Sequence, residues 1–171
     1  MCGISGFYSK NLSSYNNVIL KMNRAISHRG PDGSSTWKDT NFGIFFGHQR
    51  LSIIDLSTAG NQPMISSSGR YVITYNGEVY NHINIRKELE QKNSNIKWRS
   101  HTDTETLLEA FEVWGVEKTL NKIESMFAFV IWDKKLRILT LARDRMGEKP
   151  LYFGWQGDQG NKVFLFGSEI K

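Results

Sequence analysis

The chain has 171 residues, of which 39% are hydrophobic and 23% charged, and this composition fits one ordinary globular domain. The net charge is +5, but basic residues alternate with acidic ones and form no Lys/Arg-rich run, so we expect no nucleic-acid partner. No stretch approaches eighteen apolar residues, and a single cysteine allows no intrachain disulfide. We therefore expect a cytoplasmic protein that does not cross a membrane.

The spacing of apolar residues predicts alternating strands and helices. The predicted strands are residues 4–8, 42–49, 71–75, 126–132, 137–142, 151–155 and 162–166; the predicted helices are 17–26, 85–91 and 105–114; the predicted turns are 133–135 and 156–161. Several strands, such as residues 127–132, are apolar on both faces. This pattern predicts two stacked sheets with helices outside, because each sheet must then be covered on both sides.

The only cysteine, Cys2, directly follows the initiator methionine. Its small side chain should permit removal of Met1, which would leave a thiol and a free α-amine on one residue. An α-amine with a pKa of about 8 can act as base for a thiol, so the position suggests an N-terminal nucleophile. The alternative is a small residue that opens a buried strand.

Arg50 follows a predicted buried strand. An arginine there can clamp a carboxylate with two parallel hydrogen bonds. An ion pair with Asp55 or another acid is an equal alternative.

The pair Asn76-Gly77 is a strong hairpin signal, so local sequence favours a turn there. The same two residues could instead converge an amide and a backbone N–H on a developing oxyanion. Asp103 precedes a predicted helix, and Thr102 and Glu105 fit a capping box, which favours a capping role. The alternative for Asp103 is to receive a substrate ammonium group, and both roles can hold together.

Other site types find no support. The four histidines are dispersed and form no HExxH motif, so no metal site is expected. The sequence contains no GxGxxG loop, no Walker A loop and no GxSxG elbow.

Nine segments resemble, in order, those of class II glutamine amidotransferases, the N-terminal-nucleophile type. As a set they are similar to the glutaminase domain of glutamine-hydrolysing asparagine synthetases and their sugar-modifying relatives. The segments are residues 1–6, 28–33, 50–55, 62–64, 75–81, 103–105, 126–129, 143–152 and 167–171. Each motif alone is weak, but the ordered set is specific and covers essentially the whole chain.

The resemblance implies an α+β fold, a four-layer αββα sandwich of two mainly antiparallel sheets with helices outside. It implies that Cys2 is the nucleophile, with its own α-amine as general base through a water. The Asn76 side chain and the Gly77 N–H would form the oxyanion hole. The reaction would be hydrolysis of the glutamine side-chain amide through a γ-glutamyl thioester.

The resemblance also implies the residues that bind L-glutamine. Arg50 would hold the α-carboxylate, with Leu51, Ile53 and Ile54 lining that part of the pocket. Asp103, assisted by Glu78, would receive the α-ammonium group. Every matching position has the expected residue type.

Full-length relatives of this kind continue into an ATP-dependent synthetase domain with a Ser-Gly-Gly-x-Asp-Ser loop, which this sequence lacks. We therefore expect residues 1–171 to be an excised or truncated glutaminase domain. ATP and Mg²⁺ would be needed only by the synthetase domain, and the glutaminase domain would need no cofactor. The synthetase domain is the expected partner, and a homodimer is a further candidate assembly.

Two other hypotheses remain open. The chain could be a non-catalytic module that senses glutamine or binds a partner. It could also be a different amidohydrolase of the same architecture, which would not require Arg50 or Asp103.

Overall fold

The computed structural model describes residues 1–10, 16–158 and 160–170. Gln159, in a predicted turn, and Lys171, in the last motif, lie outside the described residues. Apart from two short 3₁₀ turns, the order of elements along the described chain is one strand, one helix, four strands, three helices and four strands. The strands are β1 (Gly3–Ser9), β2 (Gly33–Asp39), β3 (Ile44–Arg50), β4 (Met64–Ile65), β5 (Tyr71–Val79), β6 (Ser125–Asp133), β7 (Ile138–Arg143), β8 (Tyr152–Gln156) and β9 (Val163–Gly167). The helices are α1 (Asn16–Ala25), α2 (His82–Lys92), α3 (Asp103–Trp114) and α4 (Val116–Leu120), with 3₁₀ turns at Ser27–Arg29 and Thr58–Gly60.

The strands form two sheets whose strand pairs are all antiparallel. The five-stranded sheet has the order β2-β3-β1-β9-β8, and the four-stranded sheet has the order β4-β5-β6-β7. β1 lies between β3 and β9, so the N-terminal strand is central to its sheet.

Three groups of buried side chains define the layers. Between the sheets, Ile4 and Phe46 pack against Val72 and Val130 of the opposite sheet. On the outer face of the five-stranded sheet, Phe7 and Phe45 pack against Ile19 of α1. On the outer face of the four-stranded sheet, the residues in contact are Tyr71, Ile73, Phe129, Leu107 and Phe111. The predicted αββα order is therefore confirmed.

Local signals predicted most of these elements. The turn predicted at 133–135 connects β6 to β7. The local prediction of a hairpin turn at Asn76-Gly77 is wrong, since β5 continues through both residues and pairs them with Ala128 and Phe127 of β6. Pairing along a nine-residue strand outweighs the local preference of two residues.

The edge strand β8 is exposed over most of its length. Tyr152, Phe153 and Trp155 are 47%, 68% and 62% exposed, so three aromatic side chains face solvent at this edge of the sheet. Within the described residues, no helix has the length and apolar character needed to cross a membrane.

A buried histidine lies between the sheets. His48 is 1% exposed, and its Nε2 lies 3.0 Å from the Tyr75 carbonyl oxygen, so the neutral ring carries its proton on Nε2. Burial lowers the pKa of His48 to about 4, and the Arg50 charge acts in the same direction, while the bond to Tyr75 opposes both.

The first prediction compares two glycines with left-handed backbone, Gly43 at φ +70° and Gly69 at φ +76°. A Cβ at Gly43 would overlap the Ser9 carbonyl oxygen, whereas a Cβ at Gly69 would meet nothing within 4 Å. Gly69→Ala should lower the free energy of unfolding by about 1 kcal/mol through backbone strain alone. Gly43→Ala should cost roughly 3 kcal/mol, since Ser9 must also move. Urea unfolding measures both, and equal losses would contradict the packing account.

The second prediction follows from His48. The folded state binds a proton there only near pH 4, whereas the unfolded chain binds it near pH 6.5, so stability falls as pH drops between these values. From pH 7 to pH 5 this loss should be about 2 kcal/mol. His48→Gln keeps an N–H donor but cannot be protonated. Between pH 7 and pH 5 the variant should therefore lose about 2 kcal/mol less unfolding free energy than the unchanged protein does. Urea unfolding at both pH values tests this, and identical losses in both proteins would refute it.

Candidate active site

One cavity of about 100 Å³ lies at the end of the sandwich where β1 begins and β3 ends. It contains every residue predicted as a site residue: Cys2, Arg50, Leu51, Ile53, Ile54, Asn76, Gly77, Glu78 and Asp103. The structure thus brings together residues that are up to 101 positions apart in sequence (2 to 103). Its small volume suits a ligand with few heavy atoms.

Strand alternation explains why three of these side chains converge. Arg50 lies on the same face of β3 as Phe46, and Cys2 on the same side as Ile4, and both Phe46 and Ile4 point between the sheets. β1 pairs with β3 so that Gly3 faces Gln49, which places Cys2 at the level of Arg50.

The third side chain comes from the opposite sheet. Thr74 of β5 reaches between the sheets to the Gly47 carbonyl oxygen at 3.3 Å. Asn76 is two residues further and therefore faces the same way. Its Nδ2 is buried and has no hydrogen-bond partner among the described residues. An unpartnered buried donor is costly, so this amide is suited to an acceptor on a bound ligand.

The Cys2 thiol is half-buried and touches the main chain of Leu51. The Leu51 N–H donates to Sγ at 3.4 Å, and Sγ lies 3.6 Å from the Leu51 carbonyl oxygen. Burial raises the pKa of the thiol, whereas the Leu51 bond, the positive N-terminus and Arg50 lower it by less. The thiol is therefore protonated near neutral pH and needs a base to become a nucleophile.

The Arg50 guanidinium is held by neutral acceptors. Nη1 donates to the Ser57 carbonyl oxygen at 2.7 Å and to Asn61 Oδ1 at 2.9 Å, and Nη2 donates to the Asp55 carbonyl oxygen. The alternative ion pair is not formed, because within the described residues no carboxylate makes a salt bridge with Arg50. Gly60 packs against this guanidinium, where a side chain would overlap Nη2. The positive charge remains available to an anionic ligand.

Residues 51–55 form one wall of the cavity. Ile53 and Ile54 are 69% and 41% exposed, so they stand at the mouth rather than in the core. The Asp55 carboxylate accepts the Ser57 N–H at 2.8 Å and the His101 N–H at 3.1 Å, which ties this wall to the segment before α3. Bonding to Ser57 and His101 lowers the pKa of Asp55 to about 2, so these contacts persist at mildly acidic pH.

Asp103 begins α3 and points into the cavity. Its Oδ2 accepts the Tyr75 O–H at 3.0 Å and the Val79 N–H at 2.9 Å. Burial raises the pKa of Asp103, and the two hydrogen bonds oppose this rise. A cationic ligand would relieve the cost of this buried carboxylate.

The predicted cap is present next to Asp103. Thr102 Oγ1 accepts the Glu105 N–H at 3.2 Å. The reciprocal half is absent among the described residues, since Glu105 instead accepts N–H groups of Arg99 and Ser100. The start of α3 is therefore capped by Thr102 while Asp103 lines the cavity, so both alternatives given for this segment can hold together.

The direction of the Gly77 N–H follows from the ladder. Phe127 is the partner of Gly77 on β6, but both of its main-chain polar groups bond to Asp144, on the side of β6 away from β5. The Phe127 N–H donates to Asp144 Oδ2, and the Phe127 carbonyl oxygen accepts the Asp144 N–H. Gly77 and Phe127 are therefore a non-hydrogen-bonded pair, and the Gly77 N–H points away from β6.

On that side of β5, alternate N–H groups have side-chain acceptors. Tyr75 N donates to Gln62 Oε1 at 2.7 Å, and Val79 N donates to Asp103 Oδ2. The Gly77 N–H lies between them and faces the cavity. A Cβ at Gly77 would overlap the Met126 carbonyl oxygen, so only glycine fits here.

Residues without a role predicted from the sequence also line the cavity, among them Met1, Gln62, Tyr75 and Lys149. All four lie inside motifs that carry the resemblance, but nothing in their spacing shows where their side chains point. Within the described chain, no group of three or more His, Cys, Asp or Glu side chains is placed to hold a metal ion.

Comparison with known proteins finds relatives that match the whole chain. The chain is 39% identical over 175 residues to glutamine-hydrolyzing asparagine synthetase 3 of Bacillus subtilis and 40% identical over 175 residues to asparagine synthetase 1 of the same organism. Each match covers the whole chain but only 27% and 26% of the relative, so the chain spans about a quarter of their length.

A solved structure, glutamine phosphoribosylpyrophosphate amidotransferase of B. subtilis, superposes with a TM-score of 0.72 over 98% of this chain and 42% of that chain. At 18% identity this likeness shows a shared fold. The family model described as a glutamine amidotransferase domain matches residues 1–171, which confirms the resemblance read from the motifs. The chain therefore belongs to the glutamine amidotransferase domain family.

Proposed function

We propose that this domain hydrolyses the side-chain amide of L-glutamine to glutamate and ammonia. The observation that carries the proposal is the convergence of the Cys2 thiol with an unneutralised cation, Arg50, and a buried carboxylate, Asp103, in one small cavity. A free α-amino acid presents the complementary charges, a carboxylate and an ammonium group. Arg50 and Asp103 would hold this head group, with Glu78, Leu51, Ile53 and Ile54 around it.

The reaction begins once Met1 is removed and Cys2 carries the α-amine. The amine, through a water, accepts the thiol proton, and Sγ attacks the amide carbon of glutamine. The tetrahedral oxyanion receives hydrogen bonds from Asn76 Nδ2 and the Gly77 N–H. Its collapse, with proton transfer to the leaving nitrogen, releases ammonia and leaves a γ-glutamyl thioester. Water then attacks the thioester, which gives glutamate and restores the thiol.

The wider setting follows the names of the relatives, which are asparagine synthetases that hydrolyse glutamine. We propose that ammonia passes to a synthetase domain of that kind, which would use ATP and Mg²⁺, while this domain needs no cofactor. We also place the protein in the cytoplasm. A homodimer is a further proposal, and sedimentation of the chain would test it.

The deciding experiment measures glutamate and ammonia released from L-glutamine by the chain carrying a C-terminal tag. Equal amounts of the two products are expected, and Cys2→Ala should abolish them. Intact mass should show a chain lighter by one methionine. Glutamine binding without turnover would support the non-catalytic alternative, and full activity in a homogeneous chain that retains Met1 would exclude the α-amine as base.

A kinetic contrast between the two ends of the cavity tests the assigned roles. Asn76→Ala should lower kcat by about 10²- to 10³-fold with little change in KM, because its amide acts on the oxyanion. Asp103→Asn keeps acceptors for Tyr75 and Val79 but loses the charge, so KM should rise roughly ten- to hundred-fold with a smaller change in kcat. Steady-state kinetics measures both. Near wild-type kcat in Asn76→Ala would remove Asn76 from the oxyanion hole.

A further inference from the structure

Lys149 is a buried lysine in the wall of the catalytic cavity. Its residue is 8% exposed, and it lines the cavity together with Met1 and Cys2. The ammonium lies 3.4 Å from Met1 Sδ, and a thioether is a weak acceptor. No carboxylate among the described residues forms an ion pair with it. A buried ammonium with so little compensation is costly and calls for an explanation.

The main chain around Lys149 is held from both sides. The Lys149 N–H donates to Asp144 Oδ2 at 3.1 Å, and its carbonyl oxygen accepts Arg143 Nε at 2.7 Å. Asp144 also accepts the N–H groups of Phe127 and Glu148, which anchors the segment to β6. These hydrogen bonds fix the main-chain position of Lys149 relative to β6.

The contact of Lys149 is with a residue that the proposed reaction requires to be removed. Met1 Sδ belongs to the side chain of the residue whose peptide bond to Cys2 must be cut. The ammonium therefore contacts the end of the side chain of the residue whose carbonyl carbon is bonded to the nitrogen that becomes the α-amine. Removal of Met1 takes away the thioether and exposes that amine to the same part of the cavity.

Other charged groups surround this end of β1. Arg29 packs on Gly3 and pairs with Glu169, and Glu169 also contacts His28. The charges of Arg50 and Asp103 act on the Cys2 thiol, and Asp55 and Glu78 lie in the cavity wall. The segment that contains Lys149 also carries Arg143, Asp144 and Glu148. Arg29 is neutralised by its partner, and Asp144 is occupied by backbone N–H groups. No carboxylate among the described residues pairs with the Lys149 ammonium, and a like charge disfavours protonation of a neighbouring amine.

We propose that, once Met1 is removed, the Lys149 ammonium lies beside the Cys2 α-amine and favours its neutral, proton-accepting form. Lys149 acts through the amine and touches none of the reacting atoms, so it is a positioning residue for the base. This inference rests on the proposed function, in which that amine is the base.

The direct test titrates the amine without any turnover. In a Cys2→Ala chain, reductive methylation with ¹³C-formaldehyde labels the α-amine, and its ¹³C shift against pH gives the midpoint; methylated lysines keep their charge. Lys149→Met should raise that midpoint by roughly half a pH unit or more. Lys149→Arg should leave it near the wild-type value. Lys135→Met, an exposed lysine at the far end of β6, is the matched control and should change nothing.

The second readout uses the intact Cys2 chain. The acid limb of kcat/KM against pH should move to higher pH in Lys149→Met and return in Lys149→Arg, with all variants checked for folding by urea unfolding. An unchanged amine midpoint in folded Lys149→Met overturns the inference even if glutamine is hydrolysed. A shifted midpoint in a chain that never releases glutamate supports the inference while it removes the proposed function.

Discussion

The register between β1 and β3 is the constraint on which the site depends. Because Gly3 faces Gln49, the residue before β1 and the last residue of β3 arrive together, and both face the space between the sheets. A slip of one residue would turn Cys2 to the α1 side and separate it from Arg50. Burial of Ile4 and Phe46 between the sheets fixes the register, so the same packing that stabilises the fold also aligns the chemistry.

The site is a region where the fold leaves polar groups incompletely satisfied. Arg50 has carbonyl partners but no counter-charge, Asp103 is buried at a cost, and the Asn76 amide has an unused donor. Each deficiency matches one part of an amino acid with a side-chain amide. In the proposed complex the ligand would supply those missing partners, so binding would recover free energy that folding alone does not.

Much of this could be predicted from sequence, because the core strands are strongly apolar and the motifs carry the site residues. The sequence pattern does not predict β2. This strand lies at the edge of its sheet, and residues 33–39 alternate between partly buried and exposed positions without forming an apolar face. Local propensity favours a turn at Asn76-Gly77 because it ignores the pairing with β6, whereas the resemblance assigns both residues to the oxyanion hole. The direction of the Gly77 N–H and the contact of Lys149 depend on ladder register and on side-chain anchoring of a loop. Neither is visible in residue spacing.

The exposed aromatic side chains of β8 have a consequence for handling the isolated chain. β8 ends its sheet, so one row of its backbone N–H and carbonyl groups has no neighbouring strand within the described sheet. Phe153 and Trp155 flank this row with apolar surface. A second molecule can add a strand there, and the extent of this association increases with protein concentration. Solubility and apparent unfolding midpoints of the chain should therefore depend on how concentrated the sample is, and a charged residue on this edge is the simplest way to suppress aggregation.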